Sequence, residues 1–320
     1  EAANQLREAR GFAKLINAVL RRVSREGPEI LASLPQGADL PAWLHTRWRA
    51  TYGDTAPLIA QALLTEPPLD LRTKDDAAGW AERLGGVQTP TGSVRLADHG
   101  PVETLLGFDE GAWWVQDAAA ALPAMLLGDV RGKRVLDLCA APGGKTLQLA
   151  QAGAHVTAVD KSEARLKRLR ENLARTKLSA EVICADALTF RAEPFDAVLL
   201  DAPCTSTGTL RRHPDVAWLR RPTDVRALAE LQSKLVAAAG ALLKPGAPLV
   251  YAVCSLEPEE GPGVVADALK HGWRRAPLKS GDISGADEFI TADGDLRTLP
   301  SHWPEIGGLD GFFAARLVRH

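Results

Sequence analysis

Between residues 134 and 254 the chain alternates short apolar runs with helical stretches, and this alternation restricts the fold more than any other feature. The runs Arg134–Leu138, His155–Asp160, Ala180–Cys184, Asp196–Leu200 and Pro248–Cys254 are too brief for helices and rich in aliphatic residues. Helical segments over about 145–152, 161–177 and 223–243 lie between them. Such repetition predicts α/β architecture with a mostly parallel, doubly wound sheet, to which Phe312–Val318 adds a last strand. In sheets of this kind, ligands bind beyond the carboxyl ends of the strands.

The rest of the chain reads differently. Phe12, Leu15, Ile16, Val19, Leu20 and Val23 lie at helical spacing in residues 1–26, and Gly27-Pro28 is expected to end that helix. A lone amphipathic helix must dock its stripe on something else. Residues 36–66 predict one or two helices, starting at Pro41, with Trp43, Leu44, Trp48 and Tyr52 on the apolar side. Strands at Leu69–Arg72 and Val94–Leu96 flank a helical stretch at 74–84, a small mixed α/β unit. A loop-rich passage follows, then a helix over 114–127. The Gly- and Asp-rich residues 279–311 predict a long surface loop.

Composition sets further bounds. Across 320 residues, 38 basic side chains face 40 acidic ones, a net charge of −2, which argues against indiscriminate coating of a polyanion. Arg outnumbers Lys 27 to 11, a bias that suits planar phosphate contacts but that a GC-rich genome also produces. The four cysteines include no C-x-x-C pair, so neither a disulfide framework nor a metal site is expected. No apolar run approaches the ~20 residues of a membrane span, and no signal-peptide pattern opens the chain. We expect a cytoplasmic monomer with reduced thiols, and the absent initiator Met suggests a piece of a longer chain.

The first strand runs into Asp137-Leu138-Cys139-Ala140-Ala141-Pro142-Gly143-Gly144-Lys145-Thr146. A phosphate-cradling G-x-x-x-x-G-K-T loop needs Gly where Cys139 stands, and G-x-G-x-x-G is absent too. What remains is a strand–loop–helix in which Gly143 and Gly144 admit a ligand close to the backbone. Asp160 closes the second strand about twenty residues on, placed to accept hydrogen bonds from ribose hydroxyls; its bland role is a cap on the next helix. Asp186 follows the third strand, within reach of an adenine edge. A phosphate-free adenosine ligand fits this set, and S-adenosylmethionine is one, with a sulfonium amino acid in place of phosphates.

Cys204 stands just past the fourth strand in Asp201-Ala202-Pro203-Cys204, and Cys254 ends the fifth in Tyr251-Ala252-Val253-Cys254-Ser255. If those strands are adjacent, both thiols share the sheet edge of the Gly-rich loop. An isolated cysteine is usually a buried small hydrophobe, the role expected of Cys184 after Glu181-Val182-Ile183. Cys204 and Cys254 instead enter loops among polar residues, and thiols over a methyl-donor site point to covalent chemistry. Carbon 5 of a pyrimidine is a poor nucleophile until a thiolate adds to C6 and makes an enamine. Methyl transfer to C5 and loss of its proton then expel the thiolate. One cysteine is the minimum and a second can assist elimination; the chemistry does not say which is which. Asp201 suits the need for an acid beside N3 and the exocyclic amine, and Lys145 would polarise the base. An amino-group methyltransferase needs no thiol and shows Asn/Asp-Pro-Pro-aromatic where this chain has Asp-Ala-Pro-Cys.

In these residues the chain resembles the RNA cytosine-5 methyltransferases, and among them the bacterial RsmB type that modifies small-subunit ribosomal RNA. The blocks Leu136–Thr146, Leu200–Leu219, Tyr251–Glu260 and Asp310–Leu317 carry the likeness across roughly residues 100–320, and it is looser over 30–100. Gly11–Arg22 is similar to the last helix of a NusB-like RNA-binding domain that precedes these enzymes. The resemblance implies a helical remnant of that domain at 1–30, a small mixed α/β domain at 31–108 and a Rossmann-like S-adenosylmethionine-dependent methyltransferase domain at 109–320. It also implies that Cys254 attacks C6 and Cys204 serves product release, whereas DNA cytosine-5 enzymes use the Pro-Cys cysteine as nucleophile. By the same likeness the cofactor is held by Cys139, Ala140, Ala141, Pro142, Gly143, Gly144, Lys145, Asp160, Asp186 and Asp201, with Asp201 and Lys145 touching the target base. Two positions depart from the family pattern: Val253 replaces the usual Thr, and Gly261 the Asn that often follows Pro-Glu-Glu.

Residues 205–226 bring Arg211, Arg212, His213, Trp218, Arg220, Arg221 and Arg226 together, a composition suited to phosphates and to stacking a splayed base. Arg211, Arg212, His213, Trp218 and Arg220 are the expected RNA contacts, against the alternative of a solvated loop. Arg165, Lys167, Arg168, Arg170, Arg175 and Lys177 read as a solvated helix face, since Glu163 and Glu171 intersperse them. A base inside folded RNA must be unstacked to reach a thiol, so a single-stranded loop is the expected target. A tRNA cytosine-5 methyltransferase is the nearest alternative. A non-catalytic RNA-binding or antitermination factor is the alternative of another class, and it has no use for Cys204 and Cys254.

Overall fold

The computed structural model describes residues 2–33 and 40–319; Glu1, His320 and residues 34–39, part of the stretch predicted helical, lie outside the described residues. At the start, α1 (Ala2–Gln5) leads to α2 (Ala13–Ser33), which runs straight through Gly27-Pro28. The expected stop fails because an internal proline removes one N–H and crowds one carbonyl, a local cost of about 3 kcal/mol that leaves the remaining helical bonds intact. Phe12, Leu15, Val19, Leu20 and Val23 stay exposed, so no described residue covers the stripe. Among the described residues, no helix is long and apolar enough to cross a membrane.

Helices α3 (Ala42–Tyr52) and α4 (Ala56–Ala62) bury Leu44, Trp48 and Ile59 against Leu210, Ala217, Leu256 and Leu299. Arg47 Nε and Trp48 Nε1 donate to Glu257 at 2.6 and 2.9 Å, and Tyr52 OH donates to Leu256 O at 2.5 Å. This helix pair therefore braces the segment that follows Cys254.

A small antiparallel sheet comes next: β1 (Leu69–Thr73), α5 (Ala77–Leu84), β2 (Val87–Gln88), β3 (Val94–Leu96) and β4 (Trp113–Val115), in strand order β2-β3-β1-β4. Strand β4 replaces the start of the helix expected over 114–127. Two tryptophans and a valine favour a pleated, half-buried surface, and they pair with β1 through Leu71↔Val115. The helix α6 (Ala118–Met125) begins only after Asp117, whose Oδ1 accepts from Ala119 N and Ala120 N at 2.8 and 3.4 Å.

The large sheet contains β5 (Arg134–Leu138), β6 (His155–Asp160), β7 (Glu181–Cys184), β8 (Ala197–Asp201), β9 (Pro248–Val253), β10 (Trp273–Arg275), β11 (Leu296–Arg297) and β12 (Phe313–Arg319). Between them run α7 (Gly144–Gln151), α8 (Glu163–Thr176), α9 (Val216–Leu219), α10 (Pro222–Gly240) and α11 (Val264–Lys270). The order β10-β12-β9-β8-β5-β6-β7 is parallel from β9 to β7, and β12 is antiparallel. Helices cover both faces, which is why the central strands read as continuous apolar runs. The chain winds outward from β5 to β7 and then returns to β8, so the order reverses between β5 and β8 and opens a crevice at their carboxyl ends.

Two sequence expectations fail here for the same reason, missing tertiary context. Residues 279–311 are not a surface loop: Ile283, Phe289, Leu296, Trp303 and Leu309 are buried in the core beside Leu122 and Ala252. Cys184 is exposed, not buried, because β7 is the outermost strand of the sheet.

A paired-thiol candidate active site

Strands β8 and β9 are adjacent and parallel in register Asp201↔Ala252, so their following loops lie side by side. Cys204 Sγ and Cys254 Sγ are 3.4 Å apart, the first buried and the second half-buried. The hydrogen bond with Cys254, followed by burial, pushes the Cys204 thiol well above its ordinary value. Either sulfur can be the donor across this contact. At the neighbouring end of β5, Lys145 Nζ donates to Asp201 Oδ2 at 2.8 Å. Burial pulls the Lys145 ammonium down, but the Asp201 carboxylate, helped by Cys254 and Asp137, more than offsets it, so Lys145 keeps its proton. Lys145 Nζ also lies 5.1 Å from the centroid of the Phe312 ring.

Beside this pair, Cys139, Asp160, Arg165, Asp186, Pro203 and Leu235 line a cavity over the crevice. Cys139 occupies the left-handed region at φ 60°, and Gly143 lies at φ 111°. A Cβ on Gly143 would stand 2.8 Å from Leu169 Cγ, so this turn has room for glycine alone. Asp160 accepts from Ala141 N at 3.2 Å and Ser162 N at 2.9 Å, which fixes the loop to the end of β6. Asp186 is exposed at the rim and accepts from Leu188 N at 2.9 Å. Ala140 and Ala141 are buried in the loop, Pro142 is exposed at its tip, and Gly144 begins α7.

The sequence reading missed two members. Asp137 is fully buried; its Oδ2 accepts from the Thr146 hydroxyl at 2.5 Å, while Oδ1 has no hydrogen-bond partner. Burial pushes its carboxyl up to about 7. An acid inside an apolar strand was the available signal. Arg165 leaves the solvated face of α8 to reach the cavity, with Nη1 3.4 Å from Asp160 Oδ2. Burial first, then Asp160, Asp201 and Asp137, pushes the Cys139 thiol up to about 12.

Three of the five expected RNA contacts turn inward. Arg211 Nε donates to Asp310 at 2.7 Å, Nη2 to Asp117 at 3.0 Å and Nη1 to Gly307 O at 2.7 Å. Arg212 binds the same two carboxylates, with 2.8 Å to Asp117, and donates to Pro68 O at 3.2 Å. Arg220 donates to Thr205 O and Cys204 O at 3.2 and 3.3 Å. Buried carboxylates and loop carbonyls, unseen in the local sequence, claim these guanidiniums. His213 is exposed, and Trp218 is 65% exposed with Leu219 beside it at 71%. Trp218 and Leu219 both lie on α9, which the bonds of the following Arg220 tie to the Cys204 loop.

Fold and site together define a doubly wound methyltransferase-type domain with two thiols over its ligand crevice. Residues 124–318 match the family model described as 16S rRNA methyltransferase RsmB/F. The chain is similar to ribosomal RNA small subunit methyltransferase B of Vibrio cholerae, 41% identical over 280 residues that cover 81% of this chain and 64% of that protein. It is likewise similar to the protein of the same name from an Enterobacter species, 38% identical over 327 residues that cover 95% of this chain and 73% of that protein. The chain thus spans 64% and 73% of the length of these two curated relatives. A methyltransferase homologue of solved structure from Pyrococcus horikoshii shares the fold, with a TM-score of 0.72 and 28% identity over 86% of this chain and 94% of that one. The chain belongs to the 16S rRNA methyltransferase RsmB/F family.

Proposed function

We propose that this chain catalyses methylation of C5 of a cytosine in 16S ribosomal RNA, with S-adenosylmethionine as methyl donor. The observation that carries this reading is the thiol pair at 3.4 Å, set beside the Lys145–Asp201 ion pair at the β5/β8 crevice. The cavity suits the donor through its lining: Asp160 and Asp186 place carboxylates on it, and these favour a ligand with a sulfonium and an ammonium. When bound, the donor supplies an electrophilic methyl group. The Cys139–Lys145 loop, Asp160, Asp186 and Asp201 would hold it. His213 and Trp218 would contact the RNA, with Trp218 stacking an unstacked base.

Cys254 Sγ bonds C6, and the electron pair of C5=C6 moves to C5, the carbon that gains the methyl. Asp201 faces the N3 and amine edge, and Lys145 polarises the ring. Transfer of the C5 proton to solvent water re-forms C5=C6 as the Cys254–C6 bond breaks and Sγ leaves as the thiolate, and Cys204 assists this release. The assignment of the two thiols follows the family likeness. Cys204→Ala with deproteinised small-subunit RNA is expected to trap a protein–RNA adduct that survives denaturing gels, and Cys254→Ala none. The reverse pattern swaps the roles. Failure of the wild-type chain to form 5-methylcytosine, on naked or partly assembled small-subunit RNA, sinks the reading.

A further inference from the structure

The two thiols sit on separate loops, and one buried side chain ties those loops together. Glu260 is fully buried, and Cys204 and Cys254 are each followed by a residue that it binds. Glu260 Oε1 accepts from Thr205 N at 2.9 Å, and Oε2 accepts from the hydroxyls of Thr205 and of Ser255, the latter at 2.5 Å. Gln232 Nε2 from α10 supplies a fourth donor at 3.0 Å. Tyr251 OH holds the Glu260 backbone carbonyl and lies 3.1 Å from Gln232 Oε1. Among the described residues Glu260 has no ion-pair partner, so neutral donors alone satisfy this buried carboxylate. Such an arrangement is costly to bury and sensitive to the loss of any donor.

We propose that Glu260 is a positioning residue that holds the Cys204 and Cys254 loops at a fixed separation, so that both thiols act on one base in succession. The inference rests on the cytosine-5 reading above. No hydrogen bond joins Glu260 to either thiol; it reaches both loops through Thr205 and Ser255, and its charge also helps to raise the Cys204 thiol. Attack on C6 needs Cys254 alone, whereas release also needs Cys204 beside the adduct. Loosening the clamp therefore slows release more than attack.

The test uses the whole chain with small-subunit RNA and follows turnover, the KM for RNA and for the methyl donor, and adduct on denaturing gels. Glu260→Ala is expected to lower kcat about 100-fold, the effect of misplacing a reacting group by about 1 Å. Both KM values are expected to stay within about twofold. Adduct accumulates although Cys204 is intact. Glu260→Gln keeps an acceptor for Thr205 N and Gln232 and is expected to recover most of the turnover with little adduct. Ser255→Ala, which leaves three donors in place, is read in the same assays in case Glu260→Ala does not fold; about a tenfold loss of kcat with adduct is expected. Turnover lost without adduct in Glu260→Ala or Ser255→Ala, or turnover left unchanged, overturns the inference. Wild type and Cys204→Ala run alongside: if either of these fails to give product or adduct respectively, the cytosine-5 reading has failed instead.

Discussion

Arg211 is the residue for which a surface reading and the folded chain give opposite expectations. Its side chain is 1% exposed and spans Asp117, Asp310 and the Gly307 carbonyl. The cluster holds two guanidiniums and two carboxylates, and it joins the start of α6 to the segments around residues 68 and 307. Truncation to alanine leaves Arg212 as the one guanidinium bonded to both buried carboxylates, with Arg95 acting on Asp117 only at longer range. Removing one partner of a buried pair costs about 3–5 kcal/mol, against about 0.5 kcal/mol for an exposed surface arginine. With each kcal/mol worth about 2–4 °C in a chain of this size class, Arg211→Ala should melt on the order of 10 °C lower. Lysine should rescue little, since it lacks the planar fork that serves both carboxylates. Melting curves check the first half, and RNA titrations at several salt concentrations, run well below the melt, check the second. Unchanged melting with weaker RNA binding and a salt slope smaller by about one would refute the reasoning, because that is the signature of a lost phosphate contact.

Trp218→Ala is the mirror case: melting should be unchanged while RNA binding weakens by about 1–3 kcal/mol, read by titration with single-stranded target RNA. Gly143→Ala should lose about 1–3 kcal/mol of stability and most donor binding, since the site lies at φ 111° and the added Cβ meets Leu169; melting and calorimetric titration with S-adenosylmethionine check both. Asp137 gives a pH signature. Its unfolded carboxyl ionises near 3.8, while burial holds the folded one to about 7, so the unfolded chain binds fewer protons between those values. Its contribution to stability therefore falls as pH rises through that window, by on the order of 4 kcal/mol, and is flat above it. Asp137→Asn should lack this slope. Parallel stability profiles for wild type and variant between pH 4 and 8 would contradict the assignment.

What could be read from the sequence separates by the range of the interaction that decides it. The five parallel strands and the Gly-rich loop follow from local periodicity and backbone freedom, and the structure places those strands within a residue of the sequence estimate. The meeting of the two thiols was legible because both cysteines enter loops directly after strands that prove adjacent. Residues whose roles depend on distant partners were not legible. The fate of Arg211 is decided by carboxylates 94 and 99 residues away, and no local composition distinguishes it from an arginine that faces phosphate. Trp113 and Trp114 join a strand because β1 offers an edge, and residues 279–311 enter the core because their scattered apolar side chains meet β9 and β12. Glu260 belongs with them, an acid in a recognisable block whose bonds to both the Cys204 and the Cys254 loop exist only in the folded chain. An RNA-facing role for a run of arginines therefore has to be tested first against the buried acids within reach. Here Asp117 and Asp310 claim Arg211 and Arg212, and loop carbonyls claim Arg220, which leaves the exposed Trp218 as the stronger candidate for holding the RNA.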